Sequence, residues 1–237
     1  MNTELSGFLT AISIAGTDAA PFLHGQFTTD VAGLGNGQAG ISAWCDPKGR
    51  ALFTFVLARQ DDAFLLLLPP AMREAFSKRL SLYVLRADVV IGAATTAAVP
   101  PLPWLSATDT TAPAATFIRH GIPLLHPQTS GHFLPQELNL DDLGALSFSK
   151  GCYPGQEIIA RLRYRGAVKR RLCRATTDNP TPLQPGAALQ AHGADTQVGT
   201  VINSAITDAG QELLAVLERP FIDAGRAAAD GFPVIVN

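Results

Sequence analysis

Two apolar runs, residues 52–57 (Leu-Phe-Thr-Phe-Val-Leu) and 64–68 (Phe-Leu-Leu-Leu-Leu), stand either side of an Asp61-Asp62 turn. They constrain the fold most, because runs this short and this apolar read as strands buried within a sheet. Pro69-Pro70 then opens a helix in which Met72, Phe76, Leu80 and Val84 recur every four residues. That spacing is the core-facing stripe of an amphipathic helix, and a strand at 89–91 closes a β-β-α-β unit. Upstream, residues 11–15 read as a strand, and Thr17-Asp18 can cap a helix running through Pro21 toward Val31. A strand at 41–44 ends in the turn Asp46-Pro47-Lys48-Gly49.

Residues 93–115 are rich in Ala, Thr and Pro, with Leu102, Trp104 and Leu105 as anchors, and read as a linker. A strand or short helix follows at 117–122, and a helical turn or two at 138–146. Beyond Gly166 the pattern becomes five short strands, 172–176, 187–191, 198–204, 213–217 and 232–236, parted by Pro and Gly turns. These suggest a small barrel behind an α/β region, an α+β chain. With 237 residues, 47% hydrophobic, the chain can bury a large core as one domain or several.

A formal net charge of -2 gives no global attraction to nucleic acid or membrane. Cys45, Cys152 and Cys173 are an odd set without C-x-x-C spacing, which argues for a reducing compartment and against a zinc or disulfide framework. The first residues lack a basic region followed by an apolar run, and no apolar stretch reaches spanning length, so the expected setting is cytoplasmic. His24, His120, His126, His132 and His192 are scattered, and 33–37 lacks the strand-to-helix context of a phosphate loop.

The chemistry concentrates in residues 150–166, KGCYPGQEIIARLRYRG. Gly151 and Gly155 bracket Cys152-Tyr153-Pro154 in a turn that displays its side chain. Ile158, Ile159 and Leu162 then mark a helix, placing Cys152 just before an N-terminus whose partial positive charge stabilises a thiolate. The competing reading is a small apolar core residue. The surroundings favour an exposed, reactive thiol. Eight cations, Lys150, Arg161, Arg163, Arg165, Lys169, Arg170, Arg171 and Arg174, face one acid, Glu157, within residues 150–174. They form either a solvated face or an anion-binding rim. Direct RNA binding is not expected, since Tyr153 and Tyr164 are the only aromatics near enough to stack on bases.

The motif K-G-C-Y-P-G-Q-E with A-R-L-R-Y-R-G resembles the signature of the YgfZ family, folate-binding proteins related to the glycine cleavage T-protein (aminomethyltransferase). Three upstream blocks, residues 23–31, 45–50 and 131–139, resemble that family in the same order. The resemblance implies a T-protein-like fold of ferredoxin-like α/β parts around a central cleft, plus a small C-terminal β-barrel. The parts would be 1–45 with 115–166, then 46–114, then 167–237. It implies tetrahydrofolate or a derivative as cofactor, with no metal of its own. The implied role is support of iron–sulfur enzymes or assembly proteins, and so of tRNA methylthiolation. Cys152 would be the reactive thiol, with Lys150, Gly151, Tyr153, Gly155, Gln156, Glu157, Arg161 and Arg165 as its motif. Gln26, Asp30, Asp46 and Arg119 are carried over as folate-binding candidates. The alternative is a folate-dependent one-carbon transferase. The aminomethyltransferases, however, place an aspartate in the strand that here reads 51–56 without an acid, and a glutamate where Arg119-His120-Gly121 stands.

Overall fold

The computed structural model describes residues 5–104, 112–191 and 193–237; Leu105, residues 106–111, His192 and the first four residues lie outside that description. The elements of the first half are β1 (Thr10–Ala15), α1 (Ala19–His24), β2 (Ala39–Cys45), β3 (Ala51–Gln60), β4 (Ala63–Leu68), α2 (Arg73–Ser81), β5 (Val90–Ala94) and α3 (Pro113–Arg119). The second half adds α4 (Gln156–Arg165), β6 (Arg170–Thr177), β7 (Ala188–Gln190), β8 (Gln197–Thr207), β9 (Gly210–Glu218), α5 (Arg219–Asp223), β10 (Arg226–Ala229) and β11 (Phe232–Val236).

The two apolar runs form the β3–β4 hairpin, turned at Asp61 with φ 53° and closed by the Asn36 side-chain Oδ1 accepting from the Asp61 N–H at 2.7 Å. The sheet order is β2-β3-β4-β1-β5, antiparallel throughout. β1 therefore lies between β4 and β5, and α2 carries the chain over it. Alternate residues serve opposite faces. Phe53, Phe55, Leu57, Phe64, Leu66 and Leu68 meet Leu23, Phe76 and Leu80 on the helical side. Val56, Ala58, Leu65 and Leu67 belong to a second core. Burial on both faces is why the runs are apolar apart from Thr54, whose buried hydroxyl accepts from the Leu125 N–H at 2.9 Å.

Several elements differ from their sequence-based expectation. α1 ends at His24 instead of continuing toward Val31, because the chain turns there to bridge Phe27 to Trp44. Met72 sits in a 3-10 turn, Pro70–Met72, ahead of α2, and Val84 lies past the helix end in a turn. The linker is tied down at Val99 and Leu102, both buried, and Trp104 lies edge-on to Phe117 at 6.4 Å. Between strand and helix for 117–122, the helix α3 forms, opened by Pro113 in its first turn.

β2 pairs with β3 from Ala39–Ala58 to Cys45–Ala51, so one sheet runs across the inferred boundary at 45/46. The short turn between them holds the strands side by side. The C-terminal region is a closed barrel of order β10-β11-β6-β9-β8-β7, and its interior includes Leu189, Val201, Leu213, Leu217 and Val234. β10 is the strand that the five-strand reading lacked. Its sequence, Arg-Ala-Ala-Ala, has no β-branched residue, yet it pairs with β11 and β7 and buries Ala227 and Ala229. Alternation along β8 sends Val201 into the barrel and Ile202 into the core shared with the sheet, and a bulge between Val201 and Asn203 then shifts the register.

Candidate functional site at the start of helix α4

Gly155, at φ 80°, is the N-cap of α4 and has to be a glycine. A Cβ there would come within 2.5 Å of the Asp46 carbonyl oxygen and of the Gly49 Cα. The turn after β2 and the Cys152 loop thus touch backbone to backbone. Gly151, by contrast, faces open space. Asp46 spends Oδ1 on its own turn, accepting from the Lys48 and Arg50 N–H groups at 2.8 Å each. Its carboxylate thus serves the turn that ends β2.

Lys150 is drawn inward. Its Nζ donates to the carbonyls of His24, Phe27 and Thr29, the last at 3.0 Å, and lies 5.0 Å from the centre of the Tyr153 ring. An ammonium has three donors, and all three are used. Lys150 therefore locks the loop onto the end of α1 and is not free to activate Cys152. Burial pulls its pKa down to about 8, with Asp30 acting in the opposite direction. Tyr153 packs beneath it, 6% exposed, its hydroxyl without a hydrogen-bond partner. Burial, and next Cys45, push that phenol up.

The three cysteines separate by environment. Cys152 is exposed, three residues ahead of the helix cap. Cys45 is buried, and burial together with Asp46 holds its thiol protonated. Cys173 is half-buried and burial pushes it up to about 12.

Of the remaining candidates, Gln26 sits beside the carbonyls that Lys150 binds and has a buried Oε1 without a partner. Asp30 is exposed, with Oδ1 accepting from Gly33 N–H at 3.1 Å and 3.3 Å from His24 Nδ1. Glu157 and Arg161 lie exposed on α4, as does Arg165 at its end, and Gln156 is half-buried. Arg119 is held elsewhere, in a fork on Glu212 of β9 with Nε 3.0 and 3.1 Å from the two carboxylate oxygens. The cationic run is likewise divided. Arg170 pairs with Glu137 at 2.9 Å and Arg171 with Asp142 at 2.6 Å, while Arg174 donates to the Arg119 carbonyl.

Block 131–139 contributes residues that sequence reasoning quoted without a role. Gln136, 2% exposed, donates from Nε2 to the Ile159 carbonyl of α4 at 2.7 Å. Asn139 donates to Leu172 O at 2.9 Å and accepts from Arg171 at 2.8 Å. Ala51 N–H donates to Phe133 O, which ties the block to β3. Their position inside a matching block was the available signal. All four blocks therefore meet around the Cys152 loop and α4.

No family model matches the chain. A tRNA-modifying protein YgfZ of Colwellia psychrerythraea is 30% identical over 237 residues, covering 76% of this chain and 73% of that one. The chain belongs to the YgfZ family. A tRNA-modifying protein YgfZ of Klebsiella pneumoniae is 28% identical, covering 86% of this chain and 81% of that one. An uncharacterised protein of Haemophilus influenzae is 34% identical over 191 residues, 68% of each chain. Among solved structures, the glycine cleavage system aminomethyltransferase T of Bartonella henselae superposes with TM-score 0.72 at 14% identity, covering 97% of this chain and 82% of that one. The fold is that of the aminomethyltransferase T-protein. No helix of the described residues is long and apolar enough to cross a membrane. Among them, no group of three or more His, Cys, Asp or Glu side chains is placed to hold a metal ion.

Proposed function

We propose that this chain is a cytoplasmic accessory factor of tRNA modification, in which the Cys152 thiol is the working group and a reduced folate binds beside it. The observation that carries the reading is the contrast among thiols: Cys152 is exposed on a locked loop, whereas Cys45 and Cys173 are withdrawn. Kinship to the tRNA-modifying YgfZ proteins supplies the context.

The residues present fit a folate through neutral groups. Gln26 Oε1 and the Tyr153 hydroxyl are buried polar atoms lacking partners; Gln26 precedes Phe27, whose carbonyl Lys150 binds, and the Tyr153 ring lies 5.0 Å from Lys150 Nζ. A pterin presents N–H donors that such acceptors would complete. Bound there, a reduced folate would supply a reducing ring and a one-carbon carrier. Lys150 fixes the loop, Tyr153 fills the space beneath it, and Cys152 is left free to meet a partner's thiol or iron–sulfur cluster. One-carbon transfer finds no support in β3, which has no carboxylate from Ala51 to Gln60.

The test is rescue. Expressed in a bacterium deleted for its YgfZ-type protein, the chain should restore the tRNA modification that the deletion loses, and Cys152→Ala should not. Full rescue by a normally folded Cys152→Ala protein would refute the role given to the thiol.

A further inference from the structure

We propose that the cavity between α4 and the barrel is a second binding site, apart from the Cys152 loop, for a planar heteroaromatic ring carrying an anionic tail. The cavity has a volume of about 1170 Å³ and is bounded by block 134–141, the last turn of α4, residues 166–170 and the start of α5. Small-molecule sites are typically several hundred to about 1,000 Å³. Its walls carry the mix such a ligand needs.

The planar element is Phe148. The Arg163 guanidinium lies over it, 4.1 Å from the ring centre, and the exposed Tyr164 stands edge-on at 6.5 Å. Leu134, Leu162, Val168 and Pro220 give apolar contact around it. A ring stacks on such a surface through dispersion and cation–π attraction.

The anionic tail follows from the charges left over. Seven ionised side chains line the cavity, but Arg170 is neutralised by Glu137 and Asp141 lies 3.4 Å from Arg171 outside it. Among the described residues Arg163, Lys169 and Arg219 have no carboxylate at salt-bridge distance, and Glu218 is the remaining acid in the lining. Arg219 spends its Nε on the Val168 carbonyl at 3.0 Å, which leaves its terminal nitrogens available. Gln136 is the independent sign of a missing group. It is 2% exposed, in the cavity wall, and its Oε1 has no partner. A ring N–H would complete it.

Nucleoside phosphates and folates share this chemistry, and two arms of one experiment separate them. The full-length chain is dialysed to equilibrium against adenosine 5′-monophosphate and, separately, against tetrahydrofolate. Saturable binding of either ligand is expected, weakened about tenfold by Phe148→Ala, the loss of one stacking contact. Lys169→Glu, at an exposed position that leaves the core intact, should weaken it as well, and Gln26→Ala should not. The ligand that responds in this way names the source. Absence of both at millimolar concentration, or binding that Phe148→Ala and Lys169→Glu leave unchanged, would overturn the proposal. The Cys152 reading stands or falls separately, on rescue.

Discussion

Lys150 and Gly155 set the geometry around Cys152, and each makes a separable prediction. Replacing Lys150 by Met leaves the carbonyls of His24, Phe27 and Thr29 without their donor. Each buried acceptor left unpaired costs about 1–3 kcal/mol, and solvent reaching this half-buried site brings the expected total to about 2–3 kcal/mol. Urea denaturation measures it. The pH dependence has a definite sign. The folded-state pKa is lowered to about 8 from 10.5, so between these values the unfolded chain holds the proton that the native chain has released. Stability then rises with pH across that window, and below pH 8 the group adds no slope. Wild type should accordingly gain on Lys150→Met between pH 8 and 10. Gly155→Ala imposes a left-handed alanine and a clash, and should cost at least about 1–2 kcal/mol, while Gly151→Ala should be nearly silent by the same assay. The sequence showed two glycines around a cysteine. Only backbone geometry separates the required one from the free one.

Connections between elements rest on a few polar straps whose strengths differ by burial. Asn203, delivered by the β8 bulge, accepts from Leu124 N–H at 2.9 Å and donates to Leu124 O at 2.8 Å, with Leu124 1% exposed. Asn203→Ala should cost about 2–4 kcal/mol, two backbone groups being left unpaired in the interior. Arg119→Ala breaks a fork that is nearly half-exposed on the arginine side and should cost about 1 kcal/mol or less. Chemical denaturation of the two variants gives the order, and a larger loss for Arg119→Ala would contradict it. Elements were legible where local preference and tertiary burial agree, as in β3, β4 and the helix stripe through Phe76 and Leu80. β10 was illegible because closing the barrel overrides the helical preference of Arg-Ala-Ala-Ala. Of the site, the Cys152 motif and its place before α4 were legible from residue type and spacing. The inward turn of Lys150 and the capture of Arg119 by Glu212 were not, since both depend on partners more than ninety residues away in sequence.

Across the molecule, sheet and barrel share one core. Leu172, Ile202, Leu214 and Val216 of the barrel belong to the same buried cluster as Val56, Leu65 and Leu67 of the sheet. Separating the two would expose that surface, so calorimetry should record a single unfolding transition; two resolved transitions would show that the halves fold independently. Core packing also sets Cys152 apart: Cys45 lies in this shared core and Cys173 packs against the barrel's own core, which leaves one thiol at the surface where the four sequence blocks meet. The most direct test is the rate of thiol alkylation of the wild-type protein at neutral pH, with and without tetrahydrofolate. One fast-reacting thiol, lost in Cys152→Ser and slowed by saturating tetrahydrofolate, is the predicted result. A chain with no fast thiol, or a Cys152 whose rate is indifferent to tetrahydrofolate, would contradict the placing of thiol and folate at one site.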